Sequence, residues 1–120
     1  MGGVLLFGLL LLSPHHPARA DSTAPPYDPA SVREGYRRYQ GVCGHCHGPD
    51  GLGSSFVPGL IDPLPSRERF ATAVLEGATG PRGVMRGFSG DPNVEPYLDV
   101  IYAYLAGRAS GRLGRGRPRP

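Results

Sequence analysis

Apolar positions recur at helical spacing in three stretches of this chain, and Gly- and Pro-rich segments separate them. The first stretch, "SVREGYRRYQGVCGHCH" over 31–47, sets Val32, Gly35, Tyr36, Tyr39 and Val42 three and four residues apart, so they share one side of a helix. Ser31 suits the N-cap, with Glu34 closing a capping box. Ser66 opens a second helix, "SRERFATAVLEG", whose stripe is Phe70, Ala71, Val74 and Leu75 and which Gly77 can end as C′. Asn93 is expected to cap a third over 94–106. That placement puts Pro96 at N3, where a missing N–H costs nothing, and buries Tyr97, Leu98, Ile101, Tyr104 and Leu105 before Gly107 ends the helix.

Between these elements, 48–65 reads as a loop with turns and a few apolar anchors, Leu52, Phe56 and Leu60, and 78–92 as a second loop. No alternating stretch is long enough to predict a strand, so the expected fold class is all-α with three main helices.

The ends of the chain differ from its middle. Val4 to Leu12 form an apolar run, and Ala18-Arg19-Ala20 gives the small-x-small pattern of a signal-peptidase site. A membrane span needs about 20 apolar residues. Residues 1–20 are therefore expected to be a cleaved export signal and the protein periplasmic, with no stable membrane insertion, although "MGG" carries none of the basic residues such signals usually have. Residues 21–30, "DSTAPPYDPA", read as an extended lead-in. Residues 107–120, "GRASGRLGRGRPRP", hold five Arg and no acid, a composition expected to stay disordered or to dock electrostatically on an acidic partner or an anionic surface. Residues 21–106 hold seven Arg against ten acids, so the computed pI of 9.2 comes from the tail and does not describe a basic, nucleic-acid-binding domain.

The chemistry concentrates in "CGHCH", residues 43–47. Cysteines three apart on a helical turn share a face, and the next residue follows them there. Cys43 and Cys46 can thus reach two vinyl groups of one haem and leave His47 directed at the iron, which is the C-x-x-C-H attachment signature. Export agrees with it. Two other readings stay open. A zinc site would have to draw on Cys43, His45, Cys46 and His47 within five residues, too few positions to close a tetrahedron easily. A redox thiol pair would prefer a helix N-terminus beside a βαβ unit.

For the iron's second axial position, Met85 is the one methionine after the signal, and His45 sits between the tethering cysteines. Met85 lies in the loop "GVMRGF" and is the expected sixth ligand; His/Met ligation raises the potential and closes the iron to substrate.

Over residues 31–106 the sequence resembles the class I monohaem cytochromes c. Gly35 and Tyr39 match the Gly and aromatic that precede the first cysteine in that family, and Tyr104, with Ile101 one turn earlier, matches the aromatic of its last helix. "FVPGL" is similar to the family's proline loop, which implies that the Pro58 carbonyl accepts a hydrogen bond from the axial His47. "GVMRGF" is similar to the methionine loop, except that Arg86 stands where the family commonly has Pro. The tail and "GVMRGFSG" resemble those of small cytochromes c that accompany quinoprotein (PQQ) alcohol and methanol dehydrogenases.

The resemblance implies a monomeric periplasmic electron carrier with one covalent haem c and no catalytic residues. It would take electrons from such a dehydrogenase and pass them to a terminal oxidase or another cytochrome. The alternative is an open-site haem protein that binds a small diatomic ligand.

Overall fold

The computed structural model describes residues 28–120, so the expected export signal and most of the lead-in lie outside the described residues. Four helices and one small hairpin make up the fold: α1 (Pro29–Val42), α2 (Gly44–His47), α3 (Arg67–Glu76), β1 (Ala78–Gly80), β2 (Gly83–Met85) and α4 (Leu98–Ala109), the last entered through a 3-10 turn, Glu95–Tyr97. Among the described residues no helix is long and apolar enough to cross a membrane.

Several local expectations shift. Asp28, not Ser31, caps α1: its Oδ1 accepts from the N–H groups of Ala30 and Ser31, both at 3.0 Å, and Pro29 supplies a preset φ at N1. Glu34 is thereby free of capping and pairs with Arg37 (2.8 Å) and Arg38 (2.7 Å) one turn on. The expected continuous helix is interrupted at Cys43, flanked by the weak helix formers Gly41 and Gly44, and resumes as α2. The cap at Ser66 holds, with its Oγ accepting from the Arg69 N–H at 3.3 Å. Asn93 does not cap the last helix. Asp91 organises that corner, its carbonyl accepting from the N–H groups of Val94 (3.2 Å) and Glu95 (3.0 Å). The chain enters α4 through a 3-10 segment whose first turn holds Pro96, where its missing N–H goes unneeded.

The strict all-α expectation gives way to a mostly helical fold with a two-stranded antiparallel sheet. Ala78 pairs with Met85, Thr79 with Val84 and Gly80 with Gly83. Three residues per strand are too few to show a period of two, which is why the pattern went unseen.

The core is the crossing of α1 on α4. A Cβ at Gly35 would collide with the Val100 carbonyl, so only glycine lets the two backbones approach this closely. On either side, Tyr104 meets Tyr36 edge-on at 5.5 Å between ring centroids and Tyr39 at 5.4 Å. Tyr39, Tyr104, Ile101 and Leu105 are all but completely buried, and Phe70 and Val74 join them from α3. Tyr97 is only half-buried and carries the Arg38 guanidinium on its ring. Of the three loop anchors, Leu60 packs against the core, whereas Leu52 and Phe56 are exposed.

The helix end expected at Gly107 comes later, at Ala109, and Gly107 is buried. Beyond it, within the segment whose composition suggests disorder, Arg115 and Gly116 bond to Asp50, and Leu113 packs against the core.

Candidate haem-binding site

The functional residues sit where α1 gives way to α2. Cys43 continues the helical hydrogen bonding, its N–H donating to the Tyr39 carbonyl at 2.8 Å and its carbonyl accepting from the His47 N–H at 2.9 Å. That turn brings Cys43, Cys46 and His47 onto neighbouring positions despite the break. Cys43 is half-buried against the core, while Cys46 and His45 are exposed.

His47 is oriented by the loop that follows. Its Nδ1 lies 2.9 Å from the Pro58 carbonyl oxygen, the contact the resemblance implied. A backbone carbonyl can only accept, so the bond fixes the proton on Nδ1 and leaves Nε2 with a free lone pair for a metal. The loop is held in register by backbone bonds: Gly53 N–H to the His47 carbonyl at 2.7 Å and Leu60 N–H to the Gly51 carbonyl at 2.8 Å. Gly53 has φ +84°, and a Cβ there would approach the Pro58 carbonyl carbon to 2.9 Å, so its side-chain-free backbone lets the two limbs touch. Tyr39 adds a bond from its hydroxyl to the Gly48 carbonyl at 2.7 Å.

Met85 ends β2, and the hairpin carries it back over α1. A cavity of about 580 Å³ is lined by Gly41, Val42, Cys46, Val84, Met85, Arg86 and Phe88. One expected tether and the expected methionine ligand therefore share a single cavity. His47 is not among its lining residues; it lies next in sequence to Cys46, clamped on Pro58. Most of the wall is apolar, and Val84 is 78% exposed to solvent, so an apolar surface beside Met85 is left uncovered by the described residues. A thiol and a thioether lining one apolar cavity, with a second thiol and an oriented imidazole adjoining in the chain, form a donor set that fits a haem held by thioethers.

The rival readings fare worse. Burial pushes the Cys43 thiol up to about 11, with the neighbouring Cys46 adding to the rise. Thiol exchange calls for the opposite shift. Among the described residues no three His, Cys, Asp or Glu side chains gather where they could hold a metal ion.

Sequence reasoning missed Phe88 and Val84 as cavity walls and Asp50 as an anchor. Phe88 falls two residues after Arg86 in a loop with no period, and "PDG" reads only as a turn.

No family model matches the chain. Similar proteins include cytochrome c-553I of Paracoccus denitrificans, 43% identical over 90 residues (70% of this chain, 40% of that protein). Cytochrome c-555 of Methylococcus capsulatus is 33% identical over 100 residues, which are 81% of this chain and 77% of that protein. The quinohemoprotein alcohol dehydrogenase ADH-IIG of Pseudomonas putida is 32% identical over 94 residues, which cover 76% of this chain but 13% of that enzyme. The chain thus spans well under half the length of two of these relatives. Among solved structures, the c-type cytochrome XoxG of Methylobacterium extorquens AM1 superposes with a TM-score of 0.70 at 42% identity, over 74% of this chain and 57% of that one. With one attachment signature, the cofactor is one covalent haem c, and the chain belongs to the class I monohaem cytochromes c.

Proposed function

We propose that this electron carrier works in the periplasm with His47 and Met85 as axial ligands, Cys43 and Cys46 as thioether tethers and Pro58 as the acceptor that orients His47. The observation that carries the reading is the shared cavity of Cys46 and Met85 beside an imidazole whose Nδ1 is already engaged.

Haem supplies a one-electron ferrous–ferric couple. The protein's part is to set and protect it. The carbonyl of Pro58 would make the imidazole a stronger donor and the Met85 thioether would favour the ferrous state; with His47 and Met85 both holding the iron, no place would be left for bond chemistry. Val42, Val84 and Phe88 line the cavity with apolar surface, which disfavours the extra positive charge of ferric iron. The exposed edge at Val84 gives a partner a place to approach.

The electron donor we assign is a quinoprotein alcohol or methanol dehydrogenase, and the acceptor a terminal oxidase or another cytochrome. In ADH-IIG a segment similar to this chain forms part of a quinohemoprotein alcohol dehydrogenase, so a domain of this kind accompanies that chemistry within one polypeptide.

The test is to titrate the purified holoprotein with dithionite and ferricyanide. Two low-spin spectra, with the weak long-wavelength ferric band of a methionine–iron bond, are expected. A high-spin, five-coordinate ferrous spectrum would overturn His/Met ligation and favour the diatomic-binding reading.

A further inference from the structure

Away from the cavity, one carboxylate is buried and its partners come from the far end of the chain. The Asp50 side chain is 6% exposed, yet both oxygens are satisfied: Arg115 Nε donates to Oδ2 at 2.9 Å and the Gly116 N–H to Oδ1 at 2.8 Å. Arg108 reinforces the contact, its Nε donating to the Asp50 carbonyl at 3.3 Å and its Nη1 to the Leu113 carbonyl at 2.8 Å. Pro118 is buried as well. A Gly/Arg/Pro segment has little apolar surface with which to fold, so these polar anchors decide its course.

Asp50 lies three residues after His47, within the loop that returns to Pro58. Gly51, its neighbour, accepts from Leu60, and Gly53 donates to His47 while abutting the Pro58 carbonyl carbon. Gly53 and Gly59 each meet the backbone of the opposite limb directly, so a displacement at 50–53 carries through to 57–60.

We propose that residues 108–118 form a strap that positions the axial histidine: by gripping Asp50 they hold the 48–60 loop closed and keep the Pro58 carbonyl on His47 Nδ1. The proposal rests on the reading of His47 as an iron ligand. Asp50, Arg115 and Gly116 are positioning residues, acting on the imidazole through the loop. When the strap is released, the Nδ1–H bond weakens, the imidazole becomes a poorer donor, and the ferric state loses support. The reduction potential then rises.

The experiment compares four altered holoproteins with the parent: Asp50→Ala, Arg115→Gln, a chain ending at Ser110, and Arg119→Gln as a control outside the contact. The readouts are proton exchange at His47 Nδ1 in the ferrous state, by NMR, and the midpoint potential. The first three are expected to exchange about tenfold faster or more, the scale on which one lost hydrogen bond shifts an opening equilibrium, and to show raised potentials. Arg119→Gln should match the parent. If Asp50→Ala does not fold, the Arg115→Gln and shortened chains, which keep the carboxylate, decide the matter. Lower melting temperatures with exchange and potential unchanged would reduce the strap to packing and overturn the proposal. A parent without a His/Met low-spin spectrum would overturn the ligation reading and the strap with it, so the two failures are told apart.

Discussion

The guanidinium of Arg86 lies over the Phe88 ring, 4.0 Å from its centroid, one residue after the methionine expected to ligate iron. Arg86 also reaches Asp91 at 3.6 Å. The family commonly has Pro at this position, and here stacking and an ion pair restrain the loop in its place. Beyond them, Phe88 N–H donates to the Val74 carbonyl at 2.8 Å and Ser89 N–H to that of Leu75 at 3.1 Å, tying the loop to α3.

Replacing Arg86 with Ala should therefore loosen the loop modestly. An exposed cation–π contact is worth about 0.5–1 kcal/mol, and the ion pair adds little because Arg86 is 69% exposed. Urea unfolding followed by the haem spectrum should show a loss of that size with the methionine–iron band retained. A lost band would mean the loop depends on Arg86 alone.

Met85→Ala removes the thioether and leaves Cys43 and Cys46 intact. Covalent haem should persist on a denaturing gel, carbon monoxide should bind, and the potential should fall by more than about 59 mV, the one-electron equivalent of tenfold. An unchanged potential would show that another group ligates the iron.

Gly35→Ala tests the helix crossing. Since the added methyl would collide with the Val100 carbonyl, the backbones must separate, and overpacking of this kind costs about 1–3 kcal/mol. Denaturant midpoints would measure it; a gain in stability, as helix propensity alone predicts, would show that the crossing yields freely.

Tyr39→Phe deletes the 2.7 Å bond to the Gly48 carbonyl while keeping the ring in the core. The expected loss is about 1 kcal/mol. Tyr39→Ala, which empties a fully buried site, should cost about 3–5 kcal/mol. Equal effects from the two would mean that the hydroxyl bond, not the ring, supplies the stability.

Asp50 gives the fold an acid-sensitive contribution. Burial raises its pKa, but hydrogen bonds from Arg115 and Gly116, aided by the charges of Arg108 and Arg115, outweigh this and hold it below the ordinary 3.8. A folded-state pKa below the unfolded one adds stability that is complete above the ordinary value and is lost as pH falls through the lower one. Melting temperatures measured from about pH 5 downward should drop less steeply for Asp50→Asn than for the parent. Parallel curves would show that Asp50 titrates alike in both states.

How far the sequence disclosed this molecule depends on the range of each interaction. The C-x-x-C-H motif and the Ser66 cap are local, and the cap appears in the structure where the residue placed it; the crossing of Gly35 and Tyr39 on Tyr104 joins distant helices and came from the resemblance. The Pro58 contact was legible only by resemblance, since nothing in eleven residues of turn-rich sequence says which carbonyl will face an imidazole. The Asp50–Arg115 pair joins residues 65 apart, and composition argued against any contact there. The start of α1 was misplaced because Asp28 and Ser31 are both good caps, and Pro29 decided between them.

The meeting of Gly35 with Val100 also sets a timetable. Gly35 and Val100 stand 65 residues apart, so the crossing cannot form until the chain between them has been gathered in, and contacts of such long range slow folding.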